Sequence, residues 1–185
     1  VPGPNGELPI IDGKDATTSV NQHYLAWSPI EDLGLVMVAR SSDSGYYSRP
    51  SQVIIENLHL RGANPTNQYT RADGSTHTWS NGASCIYVLA VDGLTIRNNI
   101  ITDCGNGVFT LSKDEGQQTI TEGLLLEGNH IYGHGVVNSY LEHNVYLQTM
   151  GVTVQYNWLG DTRQGSLGGN LKDRSAGTVI RYNKI

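Results

Sequence analysis

Phenylalanine is nearly absent, with one residue in 185, and cysteine occurs only twice. No apolar run approaches the roughly 20 residues that cross a bilayer, so no membrane insertion is expected. Val1-Pro2-Gly3-Pro4 lacks the basic start and apolar stretch of a signal peptide, so the expectation is a soluble chain whose targeting segment has already gone. Cys85 and Cys104 have no CxxC spacing and no paired histidines, which argues against a zinc cluster. They leave two readings open: one disulfide, or two buried free thiols. Charged residues make up only 16% of the chain, for a net charge of -5. From Met150 onward five basic residues face two acidic ones, so this last stretch carries +3 and the rest -5 - 3 = -8. No nucleic-acid partner is implied, but a locally cationic end could meet an acidic sugar chain.

What is abundant is small, polar or aromatic: 22 glycines and 10 tyrosines, with many Asn, Thr and Ser residues. Such a chain suits short strands and tight turns better than a helical bundle, and its length suits one domain, residues 1–185. Four segments superpose without gaps: Gly93 to Ile101, Gly123 to Ile131, Gly151 to Leu159 and Gly177 to Ile185. Each places Asn six residues after Gly, at Asn99, Asn129, Asn157 and Asn183. The intervals are 30, 28 and 26 residues, the period of a solenoid. Within each unit apolar residues alternate, as at Leu94 and Ile96 or Val152 and Val154, which is the pattern of a half-buried strand. Each asparagine is expected to take the left-handed turn conformation itself and to bond its counterparts in an asparagine ladder. Leu58 occupies that slot in an earlier coil, Val53 to Leu60.

A second strand column runs ahead of the first, through Cys85 to Val88, Gly107 to Thr110, Asn144 to Leu147 and Asn170 to Asp173. Alternation points Ile86, Val108, Val145 and Leu171 inward and Tyr87, Phe109, Tyr146 and Lys172 outward. The segments Pro9 to Gly13, Val53 to Ala63, Asn81 to Phe109 and Gly128 to His134 resemble the right-handed β-helix repeats of the pectate-lyase-like superfamily, over roughly Pro9 to Ile185. The fold expected is therefore all-β: a right-handed single-stranded parallel β-helix. That superfamily contains lyases, hydrolases, epimerases, tailspikes and adhesins, so the resemblance implies a fold more than an activity. The last coil ends at Ile185 without a cap, so the expectation is a fragment of a longer helix, or an end covered by lateral or end-to-end self-association.

Connections of 26, 16 and 14 residues precede the second strand column at Ile86, Val145 and Leu171, against 9 at Val108. Insertions on one edge build a binding face. A groove is expected along Tyr87, Phe109 and Tyr146, walled by Gly62 to Ala83 and Tyr132 to Glu142, and the resemblance implies glycan binding over the same face. Exposed rings stack on sugar C–H faces, while Asn144, Asn170 and His134 would bond hydroxyls. Lys172 and Arg174 project together, Asp173 facing inward between them. A lyase acting on a uronic acid needs a base for the proton beside the carboxylate and a cation for the charge that develops, roles this pair could fill with His143 as an acid. The pair resembles the Lys and Arg used by several β-helix lyases. A hydrolase would need two spaced carboxylates, and only Glu142 and Asp173 are near. Asp114-Glu115-Gly116 offers calcium two carboxylates but no further spaced oxygens, so a solvated loop and no certain cofactor are expected. The reading is an extracellular polysaccharide lyase, with a non-catalytic glycan-binding, adhesin or tailspike protein and a glycoside hydrolase as alternatives.

Overall fold

The computed structural model describes residues 6–20, 31–39 and 49–185; Val1 to Pro4 lie outside them. The chain is all-β, and three five-stranded parallel sheets form a solenoid-like stack. One coil runs Ser84–Leu89, Asp92–Arg97 and Ile100–Thr102, and the next runs Asn106–Leu111, Glu122–Glu127 and His130–Tyr132. Each strand pairs with its counterpart one coil away, so alternation along a strand becomes columns across coils. Leu94, Leu124 and Val152 stack in one inward column, and Ile96, Leu126 and Val154 in the next, all buried. Burying such a side chain contributes roughly 1.5–3 kcal/mol, so these columns help hold one coil on the next.

At the turn after this sheet the four asparagines bond one another. Asn99, Asn129 and Asn157 each donate from Nδ2 to the Oδ1 of the next coil's asparagine, at 3.0 Å in each case. The same Oδ1 accepts the preceding asparagine's backbone N–H at 2.9–3.0 Å. The series ends where Leu58 replaces asparagine and gives only its backbone N–H, to Asn99 Oδ1.

The left-handed residue is not the asparagine expected to adopt it but the one before: Asn57, Asn98, Gly128, Tyr156 and Tyr182, with φ between 56° and 65°. Turning one residue earlier points that side chain to solvent and the following amide inward, where it can bond across coils. Gly93, Gly123, Gly151 and Gly177 form a second positive-φ column inside the strands, continued by Gln52 at φ 52°. A methyl on Gly93 would stand 2.6 Å from Gln52 Nε2, so both backbone sign and space favour glycine there.

Of the two readings of the cysteines, the disulfide holds: Cys85 and Cys104 are bonded, their Cα atoms 5.6 Å apart and both residues buried. Gly34–Ala39 joins the second strand column beside Ser84–Leu89, a strand the repeat pattern did not reveal. The long connection after Arg61 folds into an antiparallel pair, Gln68–Thr70 with Thr76–Thr78, and lays Tyr69 on Trp79 at 4.5 Å. Among the last strands Val179 and Ile180 are each 46% exposed, although Ile180 pairs with the buried Val154.

Candidate functional site on the outward face of the second strand column

Tyr146 lies on the strand Val145–Leu147, whose two flanking residues are fully buried. Two anchors in the core hold the strand, so the intervening ring must point outward. Across the sheet Tyr87 pairs with Phe109, Phe109 with Tyr146, and Tyr146 with Lys172. The Tyr87 and Phe109 rings stack at 5.3 Å, and Phe109 meets Tyr146 edge to face at 5.1 Å. All three are half-buried.

Around Tyr146 the polar groups converge. Lys172 Nζ stands 4.6 Å from the ring centroid. Arg174 donates from Nη1 to Tyr146 Oη at 3.2 Å, and Gln148 from Nε2 at 3.0 Å. Gln148 is itself fixed, its N–H donating to Thr110 Oγ1 at 2.8 Å and its carbonyl accepting from Ser112 Oγ at 2.7 Å. The Arg174 N–H is held by the Leu147 carbonyl at 2.8 Å.

This surrounding changes the phenol. Burial raises its pKa, but the Arg174 and Gln148 hydrogen bonds and the Lys172 and Arg174 charges together outweigh it and leave the hydroxyl more acidic than an ordinary tyrosine. Two strands away, with Met37 and Phe109 as cross-strand neighbours, burial pushes Tyr87 the other way. One column thus carries two tyrosines driven apart by their neighbours.

His143, expected beside Lys172 and Arg174, does meet the cluster: its ring stands edge-on to Tyr146 at 5.6 Å. Its Nδ1 accepts the Gly169 N–H at 2.9 Å, which puts the imidazole proton on Nε2. That Nε2 is enclosed and unpartnered, and burial, then the Lys172 charge, lowers the pKa, so the ring is a neutral prop for Tyr146 with no free atom toward solvent.

Compared with known proteins, the chain matches no family model, no curated protein and no solved structure.

Two expected substrate contacts, His134 and Asn144, have other work, and a third, Asn170, bonds Asn144 through its Oδ1. His134 is fully buried; its Nδ1 accepts the Cys104 N–H at 3.1 Å and Nε2 bonds the Ile101 carbonyl at 3.0 Å, so no ring atom remains for a ligand. Gly-His-Gly at 133–135 is a core device: the ring fills the space beside Gly107, where a methyl would stand 2.8 Å from it. Asn144 is buried too, donating to the Gly160 carbonyl at 2.7 Å and to Asn170 Oδ1 at 3.0 Å. Amide and imidazole here serve the stack, because buried polar groups must be paired.

Asp173, expected to face inward, pairs with the buried Leu147 but is exposed at the sheet's last strand, its carboxylate accepting the Ser175 N–H at 2.9 Å. Glu142 is buried with one carboxylate oxygen unpartnered. Asp114 and Glu115 are exposed. Among the described residues the one grouping of three potential metal ligands is Cys85, Cys104 and His134, where the disulfide removes both thiolates. The larger described hollow, about 420 Å³ beside Gln52, Asp92 and Gly93, lies on the neighbouring sheet. None of the groups that converge on Tyr146 lines it.

The connections that precede this strand column expose apolar side chains. Val137, Tyr140 and Leu141 on one connection and Leu167 on the next are 56–69% exposed, and the two connections bridge at Val137 and Ser166. What the sequence reading missed was Tyr146 as a chemical group rather than a stacking ring. The signal was present: in its column a tyrosine precedes a lysine, and the residues two positions on, Gln148 and Arg174, carry side-chain donors.

Proposed function

We propose that the chain is part of an extracellular polysaccharide lyase acting on a uronic-acid-containing glycan, built as a right-handed parallel β-helix with an asparagine ladder, as the resemblance to the pectate-lyase-like superfamily implies. Parallel sheets, a 26–30-residue period and asparagines bonded from coil to coil support the fold, and parallel crossovers are right-handed in nearly all proteins. A buried disulfide favours an oxidising compartment. The observation that carries the activity is the convergence of Lys172 and Arg174 on Tyr146, at the end of a supported aromatic column. Rings along Tyr87, Phe109 and Tyr146 suit sugar faces, and two cations suit a uronate carboxylate whose charge grows as the neighbouring proton leaves. Glu142 and Asp173, one enclosed beside His143 and the other engaged with Ser175, do not form the facing pair a glycosidase uses.

The test is incubation with anionic and neutral polysaccharides, following both unsaturated and reducing ends. Polyuronates should yield unsaturated ends. Arg174→Ala should weaken binding and turnover together, whereas Lys172→Ala should abolish product formation with binding largely kept. Binding without cleavage of any polymer would leave a passive glycan-binding or adhesin module; reducing ends without unsaturation would point to a hydrolase.

A further inference from the structure

A β-elimination needs a group to take the proton beside the carboxylate and another to protonate the departing oxygen. Resting on the lyase reading, we infer that Tyr146 is the proton acceptor and that the Lys172 ammonium is the donor, the reverse of what lysine and arginine chemistry alone suggests. The geometry is specific to Tyr146. Its Oη accepts two hydrogen bonds, from Gln148 at 3.0 Å and Arg174 at 3.2 Å, and Lys172 Nζ stands over the ring at 4.6 Å. Donors aimed at an oxygen favour its anion, and an amine seated over the same ring lies close enough to serve the other half of the reaction. Both donors are held by backbone bonds, so the arrangement stands ready before substrate arrives. The acidity of this phenol relative to an ordinary tyrosine agrees with the assignment.

The step balances. The Tyr146 phenolate takes the C5 proton of the uronate and becomes a phenol. The electron pair left on C5 forms the C4–C5 double bond as the C4–O bond breaks, and the departing oxygen takes a proton from the Lys172 ammonium. Phenol then returns its proton to the lysine amine through water, restoring both groups. Arg174 keeps further N–H donors for the carboxylate. His143, edge-on at 5.6 Å, is a positioning residue that limits ring rotation.

Two measurements decide this. In an alkaline ultraviolet titration of the intact protein, one tyrosine should ionise below the rest. That early transition should be missing from Tyr146→Phe and displaced to higher pH in Arg174→Ala. Its absence from the wild type overturns the inference without any substrate being needed. On a polyuronate that the wild type cleaves, Tyr146→Phe, which removes one oxygen and keeps the ring, should lower kcat by about 10²–10⁴-fold. Binding should change little. Lys172→Arg should slow turnover yet keep the rise of activity with pH, because the base is intact. A Tyr146→Phe variant as active as the wild type overturns the inference and leaves the lyase reading standing. A wild type that makes no unsaturated ends overturns that reading and the base role with it.

Discussion

Acidification should destabilise this protein through one histidine. His134 is fully buried, and burial lowers its pKa from 6.5 to about 4 against the modest opposing pull of its bonds to Ile101 and Cys104. The unfolded chain takes up the proton near 6.5, the folded chain only near 4. Between those values the unfolded state binds more protons, so stability is complete above pH 6.5, falls as pH drops and levels off below about 4. The interval of about 2.5 pH units, at about 1.4 kcal/mol each, is worth roughly 3 kcal/mol. His59, His130 and His143 are lowered in the same direction, so the wild type alone cannot isolate the effect. A His134→Gln variant can. It should be less stable at pH 7, because an amide cannot span both backbone partners as the ring does, and the gap should narrow by roughly 3 kcal/mol by pH 4. Urea unfolding at several pH values, followed by tryptophan fluorescence, measures the gap directly. A gap that stays constant from pH 7 to 4 would refute the reasoning, as would an NMR titration showing His134 charged in the folded protein at pH 5.5.

Asn129→Ala removes an amide whose Nδ2 bonds Ile96 and Asn157 and whose Oδ1 takes both donors of Asn99; it should cost about 3–5 kcal/mol in urea unfolding, whereas Asn183→Ala at the partly exposed last coil should cost about 1. Replacing Cys85 and Cys104 together by serine opens a closure of 19 residues and should lower stability by about 3 kcal/mol, seen as a shift in Tm that reductant does not add to. Gly168→Ala would place a methyl 1.7 Å from the Glu142 carbonyl oxygen and should destabilise by several kcal/mol, while Gly82→Ala, with nothing within 4 Å, should be neutral or slightly stabilising in the same thermal assay.

Regular features were legible in the sequence because a repeat states the same packing problem several times. Period, strand alternation, the asparagine column and the register of Tyr87, Phe109, Tyr146 and Lys172 all follow from side-chain parity counted from aligned glycines and asparagines. Gly34–Ala39 escaped because it lacks that glycine and asparagine frame. The left-handed residue was misplaced by one position because both neighbours at the turn can be asparagine, as at Asn98 and Asn99, and only backbone geometry distinguishes them.

What sequence alone determined is therefore what depends on periodicity: which residues stand above one another and, away from the exposed last strand with Asp173, which face in and which face out. What only the tertiary structure decided depends on direction and distance around each side chain. It closed the Cys85–Cys104 bond, enclosed His134 and Asn144 in the stack, and turned Gln148 and Arg174 onto one phenolic oxygen. The physical reason is that burial and hydrogen bonding act over a few ångströms between residues from 2 to 38 positions apart in sequence, where connection lengths vary and parity no longer says where an atom points.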